Sequence, residues 1–487
     1  MHKQNVARAI RAACAVLVAT GLAGTVGAQE SGLPAAPPVH LLVAAAGQSP
    51  APSAQDPAQN AQTDAAQTNV TRTSNTQPAG LGPKLTIDQA EQMAIRNNPN
   101  VSVAHLLALA QAQVTREVRS AEMPAADADL TAADAHLNSR ITAGALNNPI
   151  VYERAAGGLT VRQLITDFGR THNLVKSAQS NARAQFESER ATALDIKLTA
   201  DQAFYQALTA QAVLRVAQQT VAQRQATGDQ VAALTKSKIK SDLDLSFANV
   251  QISQADLMLV DAKSDEQSAM AALNDVLGSE ADEQYTLMDE TDSNPPPAPQ
   301  DPEPLVQTAM QARPDLAALN DQFTAARQYS TAERDQWMPT VSAIAAAGGT
   351  PVRADQIQSS WYGAAGANVS IPIFNGFLFN AQEKEAKLRA QADQERVRNL
   401  RNQIARDVRT TVLNAQAAFE RIGVTQGMLS QADLALDLAQ ARYKIGLSSI
   451  VELTQAQLSQ TEAEIAYTSA RYAYQTALAE VRYQLGQ

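Results

Sequence analysis

Chemistry at neutral pH usually begins at a histidine, a cysteine thiolate or a pair of carboxylates, and this sequence is poor in the first two. It has five histidines and one cysteine in 487 residues. His105, His136 and His172 are far apart and none stands at a metal-ligand spacing; His2 and His40 fall in N-terminal segments without core character. Cys14 sits in an apolar run near the start, so the rest of the chain has no thiolate nucleophile or disulfide. No Gly-rich phosphate loop and no nucleophile elbow is present, and Asp and Glu fall mostly on helix faces. These absences exclude the common enzyme classes and imply no cofactor.

Charge narrows the partners. Lys and Arg number 39 against 49 Asp and Glu, a net charge of −10. Residues 1–28 read as a signal peptide: Lys3, Arg8 and Arg11, then an apolar stretch, then Val26-Gly27-Ala28. Its removal would leave 39 − 3 = 36 basic residues against 49 acidic, or −13. That balance argues against nucleic acid, whose phosphates require clustered Lys and Arg. Beyond residue 28 no run approaches the roughly 20 apolar residues of a membrane helix. A membrane-crossing mature chain would have to cross as strands.

The elements that would position any site form two related units. Residues 29–83 are rich in Ala, Gln, Pro, Thr and Ser and are expected to be disordered. Residues 84–290 form a first unit, 291–304 a proline-rich linker in extended conformation, and 305–487 a second unit. Pro99-Asn100-Val101 recurs as Pro314-Asp315-Leu316 and Met123-Pro124 as Met338-Pro339. Leu277-Gly278 recurs as Leu485-Gly486. This is the pattern of a duplication.

Each unit opens with a helix, about 86–123 (interrupted at Asn97-Asn98-Pro99) and about 303–338. Strands are expected over about 125–135 and 156–165, and over about 340–347 and 362–373. Leu159 and Val161 alternate with Thr160 and Arg162, as Val369 and Ile371 do with Asn368 and Ser370, giving one apolar and one polar face. Long helical stretches follow. Leu245, Ala248, Ile252, Ala255, Leu259 and Ala262 step by three and four, as do Leu429, Ala432, Leu436, Ala439 and Tyr443. From Gly169 to about Lys236 there is no proline, enough for a helix of roughly 100 Å. Such a rod cannot wrap one globular core.

An apolar sheet face without a membrane helix points to a transmembrane β-barrel. Open sheet edges are forbidden in lipid, and four strands fall short of the roughly eight at which barrels begin. Closure therefore requires several copies, with the helices forming a second tube. Tyr152, Phe168, Trp361 and Tyr362 flank the strands and are candidate membrane-interface aromatics.

In this order, four motifs resemble the TolC-like outer membrane efflux protein family. They are Leu85-Thr86-Ile87-Asp88-Gln89-Ala90 with Asn98-Pro99; Gln163-Leu164-Ile165-Thr166-Asp167-Phe168-Gly169-Arg170; its repeat Ile371-Pro372-Ile373-Phe374-Asn375-Gly376; and Tyr443-Lys444-Ile445-Gly446-Leu447 with Ile450-Val451-Glu452-Leu453. The resemblance covers about residues 84–487. It implies a mainly α fold with a small β component, in which long helical hairpins form a periplasmic α-barrel and four strands per chain join a transmembrane β-barrel. It further implies a homotrimer in outer membrane lipid, extending into the periplasm and performing no chemistry. The implied partners are a periplasmic adaptor and an inner-membrane RND, ABC or MFS transporter, in efflux or type I secretion.

The resemblance also places a closing network at the periplasmic helix turns, near 236–244 and 444–452. Asp244 and Tyr443 match two members of it, while Ser448 stands where an Arg would complete a salt bridge. Lys236, Lys238 or Lys240 could substitute. Glu452 retains one acidic ring of the aperture, and Gln455 occupies the place of a second. Gly446 suits a reversal at positive φ; its counterpart is Lys238, so the first turn is expected to be built differently. The rival reading is a soluble periplasmic coiled-coil adaptor or structural protein, for which one hairpin between small β domains would be expected.

Overall fold

Thr86 starts the first helix with a capping box: its side chain accepts from Gln89 N, and the Gln89 side chain accepts from Thr86 N. Before it, β1 (Lys84–Leu85) pairs in parallel with β4 (Thr286–Leu287). The computed structural model describes residues 83–133, 154–279, 285–289, 295, 297–352 and 359–487. The expected signal peptide, nearly all of 29–83, and Tyr152 lie outside the described residues.

Helix α1 (Ile87–Asn97) stops at Asn98, whose side chain accepts from Asn100 N at 2.9 Å and so caps α2 (Pro99–Ser120). Proline is tolerated at this first helical position because its missing N–H would have no partner there anyway. The second half contains the same break, which the expected single helix over 303–338 lacked. Here α5 (Glu303–Ala312) ends at Arg313, α6 (Pro314–Arg334) begins with Pro314, and a 3₁₀ turn (Asp335–Trp337) follows. The residue before a proline is driven from the α region, and Arg313 is extended at φ −69°, ψ 121°.

Four long helices complete the helical part: α3 (Arg170–Lys236), α4 (Asp242–Val276), α7 (Leu378–Lys444) and α8 (Ile450–Gln484). Helices α3 and α7 each have 67 residues, α4 and α8 each 35. At 1.5 Å per residue the longer pair spans about 100 Å. In the first half α3 packs on α4, in the second α7 packs on α8, and α3 also packs on α8, so the order across the chain is α7, α8, α3, α4. Ala248, Ala255 and Ala262 are buried in the expected seam, as are Ala432, Leu436, Ala439 and Tyr443.

Each helix break seats on another helix end. Gly278, just past α4, has φ +68°, and a Cβ there would lie 2.9 Å from the carbonyl oxygen of Asn97. Gly486, just past α8, has φ +77°, and a Cβ there would lie 2.9 Å from the oxygen of Ala312. The helix ends just before the matched Pro99 and Pro314 therefore seat on the matched Gly278 and Gly486, one in each half. The described part of the linker is docked on α7: Ala298 is 5 % exposed, and the Gln416 side chain of α7 donates to the carbonyl oxygen of Pro299 at 2.7 Å.

Among the described residues β2 (Ala125–Ala133), β3 (Arg154–Thr166), β5 (Thr340–Val352) and β6 (Trp361–Ser370) form an antiparallel sheet in the order β2-β3-β5-β6. The pairings Ala128↔Leu159↔Ala347 and Val161↔Ala345↔Ala365 collect Ala, Leu and Val on one face. The pairings Asp127↔Thr160↔Ala346 and Arg162↔Ile344 put Asp127, Asp129, Thr160 and Arg162 on the other. Arg162 Nη1 lies 3.3 Å from Asp127 Oδ2. The strands have 9 to 13 residues, long enough to cross a bilayer at a tilt. Ile371 and Ile373 lie beyond β6, in the junction to α7.

Candidate functional site

The turn between α3 and α4 and the turn between α7 and α8 are built alike, which corrects the expectation that Lys238 forces a different turn. Lys238 has φ +61° and Gly446 φ +78°. Lys238 N donates to Thr235 O at 2.9 Å and Ile239 N to Leu234 O at 2.9 Å; Gly446 N donates to Tyr443 O at 3.1 Å and Leu447 N to Arg442 O at 2.8 Å. Both are left-handed caps that satisfy the last free carbonyls of a helix. That need sets the backbone, and the lysine follows it at a cost.

Serine starts the outgoing helix in each case. Ser241 Oγ accepts from Asp244 N at 3.2 Å, and Asp244 Oδ2 accepts from Ser241 N at 3.2 Å. Ser449 Oγ accepts from Glu452 N at 3.3 Å. Here the two turns part. The Asp244 carboxylate closes its own capping box, whereas that of Glu452 reaches back to Arg442, with Nε to Oε1 at 3.5 Å. Arg442, not singled out in the sequence, is the guanidinium paired at this turn, within the second hairpin. An Arg at the last turn of α7, ten residues before an acidic N3 position, was the available signal.

Tyr443 is the centre of the site. It is 3 % exposed and packs with Val231 of α3, Ala248 of α4, Leu436 and Ala439 of α7, and Ile450 and Leu453 of α8. All four long helices meet there. Burial pushes the Tyr443 hydroxyl pKa up, and the Asp244 charge pushes it further. Lys240 Nζ stands 4.3 Å from the ring centroid, so of the three candidate lysines Lys240 bridges the two turns. Lys238 is exposed, Gln455 is exposed on α8, and Ser448 Oγ is buried without a hydrogen-bond partner among the described residues.

A buried polar seam above the turns was not legible. Arg224 of α3 is 4 % exposed and donates to Gln457 of α8, which donates to Thr227 Oγ1 at 3.1 Å. Thr220 and Thr461 hydroxyls lie 3.5 Å apart. Burial without a carboxylate lowers the Arg224 pKa to about 10.

At the sheet end, Trp361 is 70 % exposed on the apolar face. Tyr362 is on the polar face, not the apolar one expected of a lipid-interface aromatic, because it pairs with Gly348 and its ring covers Gly348 and Gly158. Phe168 is exposed at the β3-to-α3 junction with φ +56°. The corresponding β6-to-α7 junction carries exposed Phe374 and Phe377, edge to face with centroids 5.7 Å apart, a pair the sequence reading passed over.

Among the described residues no helix is long and apolar enough to cross a membrane, and no three His, Cys, Asp or Glu residues are grouped to hold a metal. Helices α3 and α7, about 100 Å long and continuous with a sheet bearing one apolar face, have the form expected of the wall of an outer-membrane channel. The family model described as outer membrane efflux protein matches residues 90–279 and 305–487. The chain belongs to the outer membrane efflux protein family, a family of outer membrane channels and not of enzymes, whose place is the outer membrane with extension into the periplasm.

TolC of Salmonella enteritidis is 23 % identical over 170 residues, covering 33 % of this chain and 35 % of TolC, so the matched stretch spans about a third of that relative's length. A membrane protein from Pseudomonas aeruginosa aligns with a TM-score of 0.71 at 21 % identity, over 82 % of this chain and 93 % of that one. The Neisseria gonorrhoeae MtrE outer membrane channel, solved in its open state, aligns at 0.68 and 20 % identity, over 82 % and 88 %. These likenesses show the fold.

Proposed function

We propose that three copies of this chain close side by side into a passive conduit, a twelve-stranded barrel in the outer membrane above a twelve-helix periplasmic tube. Substrates would be handed to it by an inner-membrane RND, ABC or MFS transporter through a periplasmic adaptor, in efflux or type I secretion. The observation that carries this reading is that the chain ends in two complementary edges. One edge is β2 with α2 and α4, the other β6 with α7. Strands β2 and β6 run antiparallel to each other, so β6 of one copy can pair with β2 of the next without breaking the alternation.

The helical edges carry matching stripes. On α4, Leu243, Phe247, Val250 and Leu257 are exposed at heptad spacing; on α7, Val424, Leu434 and Leu438 are exposed likewise. Within the chain α3 pairs with α8 through Arg224–Gln457 and Thr220–Thr461. Helix α7 begins 208 residues after α3 (378 − 170), and α8 begins 208 after α4 (450 − 242). Carrying the α3/α8 register across by 208 sets Leu438 opposite Leu243, Leu434 opposite Phe247, and Val424 opposite Leu257. The stripes coincide. The same offset supports reading residues 84–290 and 305–487 as duplicated units.

A cysteine pair tests the closure. Leu257→Cys with Val424→Cys should give disulfide-linked dimers and trimers on oxidation, whereas Asp256→Cys with Val424→Cys should link far less. Equal linkage of both pairs, or none, would contradict this register.

We assign closure of the tube to the turns: Tyr443, Asp244 and Lys240 between hairpins, Arg442–Glu452 within the second, with Ser448, Lys238, Gln455 and Gly446 shaping the mouth. What supports this is the convergence of four helices on one buried tyrosine. A ring of Glu452 carboxylates would attract cations. Glu452→Gln should lower cation selectivity or divalent-cation block in planar bilayers; unchanged values would remove the assignment.

A further inference from the structure

Away from the turns, the fold buries ionisable side chains that closure does not use, Asp201 among them. Asp201 of α3 is 3 % exposed, and its Oδ1 has no hydrogen-bond partner among the described residues. Glu91 of α1 is the carboxyl group that faces it. Glu91 Oε2 lies 3.3 Å from Nζ of Lys197, one turn earlier on α3. The charged and titratable groups around Asp201 are thus Glu91 from α1, Lys197 and Tyr205 from α3, and Arg482 from α8. Glu480 of α8 stands one residue further along α3, 3.5 Å from Gln202. Leu85, Ala94, Phe204 and Leu208 belong to the apolar core around this junction.

Two carboxyl groups share a hydrogen bond only while one of them holds a proton. Lys197 is engaged by Glu91, so it offsets only part of the cost of ionising Asp201. Burial, then the neighbouring Glu91, hold the Asp201 pKa up at about 7, against the opposing charges of Arg482 and Lys197. A plain ion pair would hold it down instead.

We propose that Asp201 and Glu91 form a proton-binding site that clamps α1 onto α3 and α8 at mildly acidic pH and loosens it at alkaline pH. With the proton present, the pair is a neutral acid donating to a carboxylate that Lys197 balances. Without it, two carboxylates repel in a low-dielectric pocket, and α1, the short helix of 11 residues that carries Glu91, gives way. Helix α1 runs directly into the Asn98-Pro99 break seated on Gly278, so its loosening would reach the edge formed by α2 and α4.

The sign follows from proton counting. The folded pKa lies above the unfolded one of 3.8, so the folded chain holds more protons between 3.8 and about 7. Stability from this site is greatest below that window and falls as pH rises through it.

The test is thermal unfolding of the detergent-purified full chain from about pH 5 to about pH 9. Wild type should melt lower as pH rises. Asp201→Asn should flatten the profile and melt about 3 °C higher than wild type at the alkaline end. Glu91→Gln should move the fall to lower pH. An Asp201→Asn profile parallel to wild type would overturn the proposal. So would an infrared spectrum near neutral pH in which no protonated-carboxyl band is lost on the Asp201→Asn change.

Discussion

Lys238 pays a local strain that Gly446 does not, and the comparison isolates what the turn demands. A non-glycine residue in the left-handed region costs roughly 1–2 kcal/mol, less the entropy a glycine would bring. Lys238→Gly should therefore slow hydrogen exchange of the Ile239 amide by about fivefold, near 1 kcal/mol of local opening. Exchange that speeds up would mean the lysine side chain itself holds the turn. Residue identity alone did not reveal this, because lysine says nothing of φ; the carbonyls of Leu234 and Arg442, each needing a donor, decide it. Lys240 is a second case. Its position 4.3 Å over Tyr443 is worth about 0.5–1 kcal/mol, so Lys240→Gln should raise the open fraction in single-channel records by about two- to fivefold. A closed fraction unchanged from wild type would remove Lys240 from the latch.

At the scale of elements, the helices were legible where periodicity is strong and ambiguous where a break depends on one residue. The seam through Ala248, Ala255 and Ala262 announced itself because small apolar residues at three-four spacing leave little else for that face to do. The stripe through Leu243, Phe247, Val250 and Leu257, two positions away, carries the same spacing but stays exposed in a single chain, and the proposed closure assigns it to a second copy. The break at Arg313 was missed, although Pro314 matches Pro99, because no capping side chain marks it: Asn98 caps α2, and Arg313 does not cap α6. The contact between each break and a distant helix end lies beyond any local pattern. Gly278→Ala and Gly486→Ala should each destabilise the chain by about 2 kcal/mol or more, from positive φ and the approach of a carbonyl oxygen together, read as a lowered melting temperature. An alanine tolerated at either position would show that the break can shift.

At the scale of the whole molecule, alternation along β3 and β6 was enough to tell an apolar face from a polar one, and the register places Leu159, Val161 and Val369 together as that alternation required. It was not enough for Tyr362, whose face is fixed by pairing with Gly348. The proposed closing network was legible only in outline. Asp244, Tyr443 and Glu452 lie at the turns, but their partners Lys240 and Arg442 depend on how two hairpins meet. The helical rods and the sheet share one property, an unpartnered edge on each side, which the proposed closure covers with another copy. Native mass spectrometry of the chain released from detergent micelles addresses that property directly. Closure predicts a complex of three chains as the dominant species; a dominant single chain under the same conditions would contradict it.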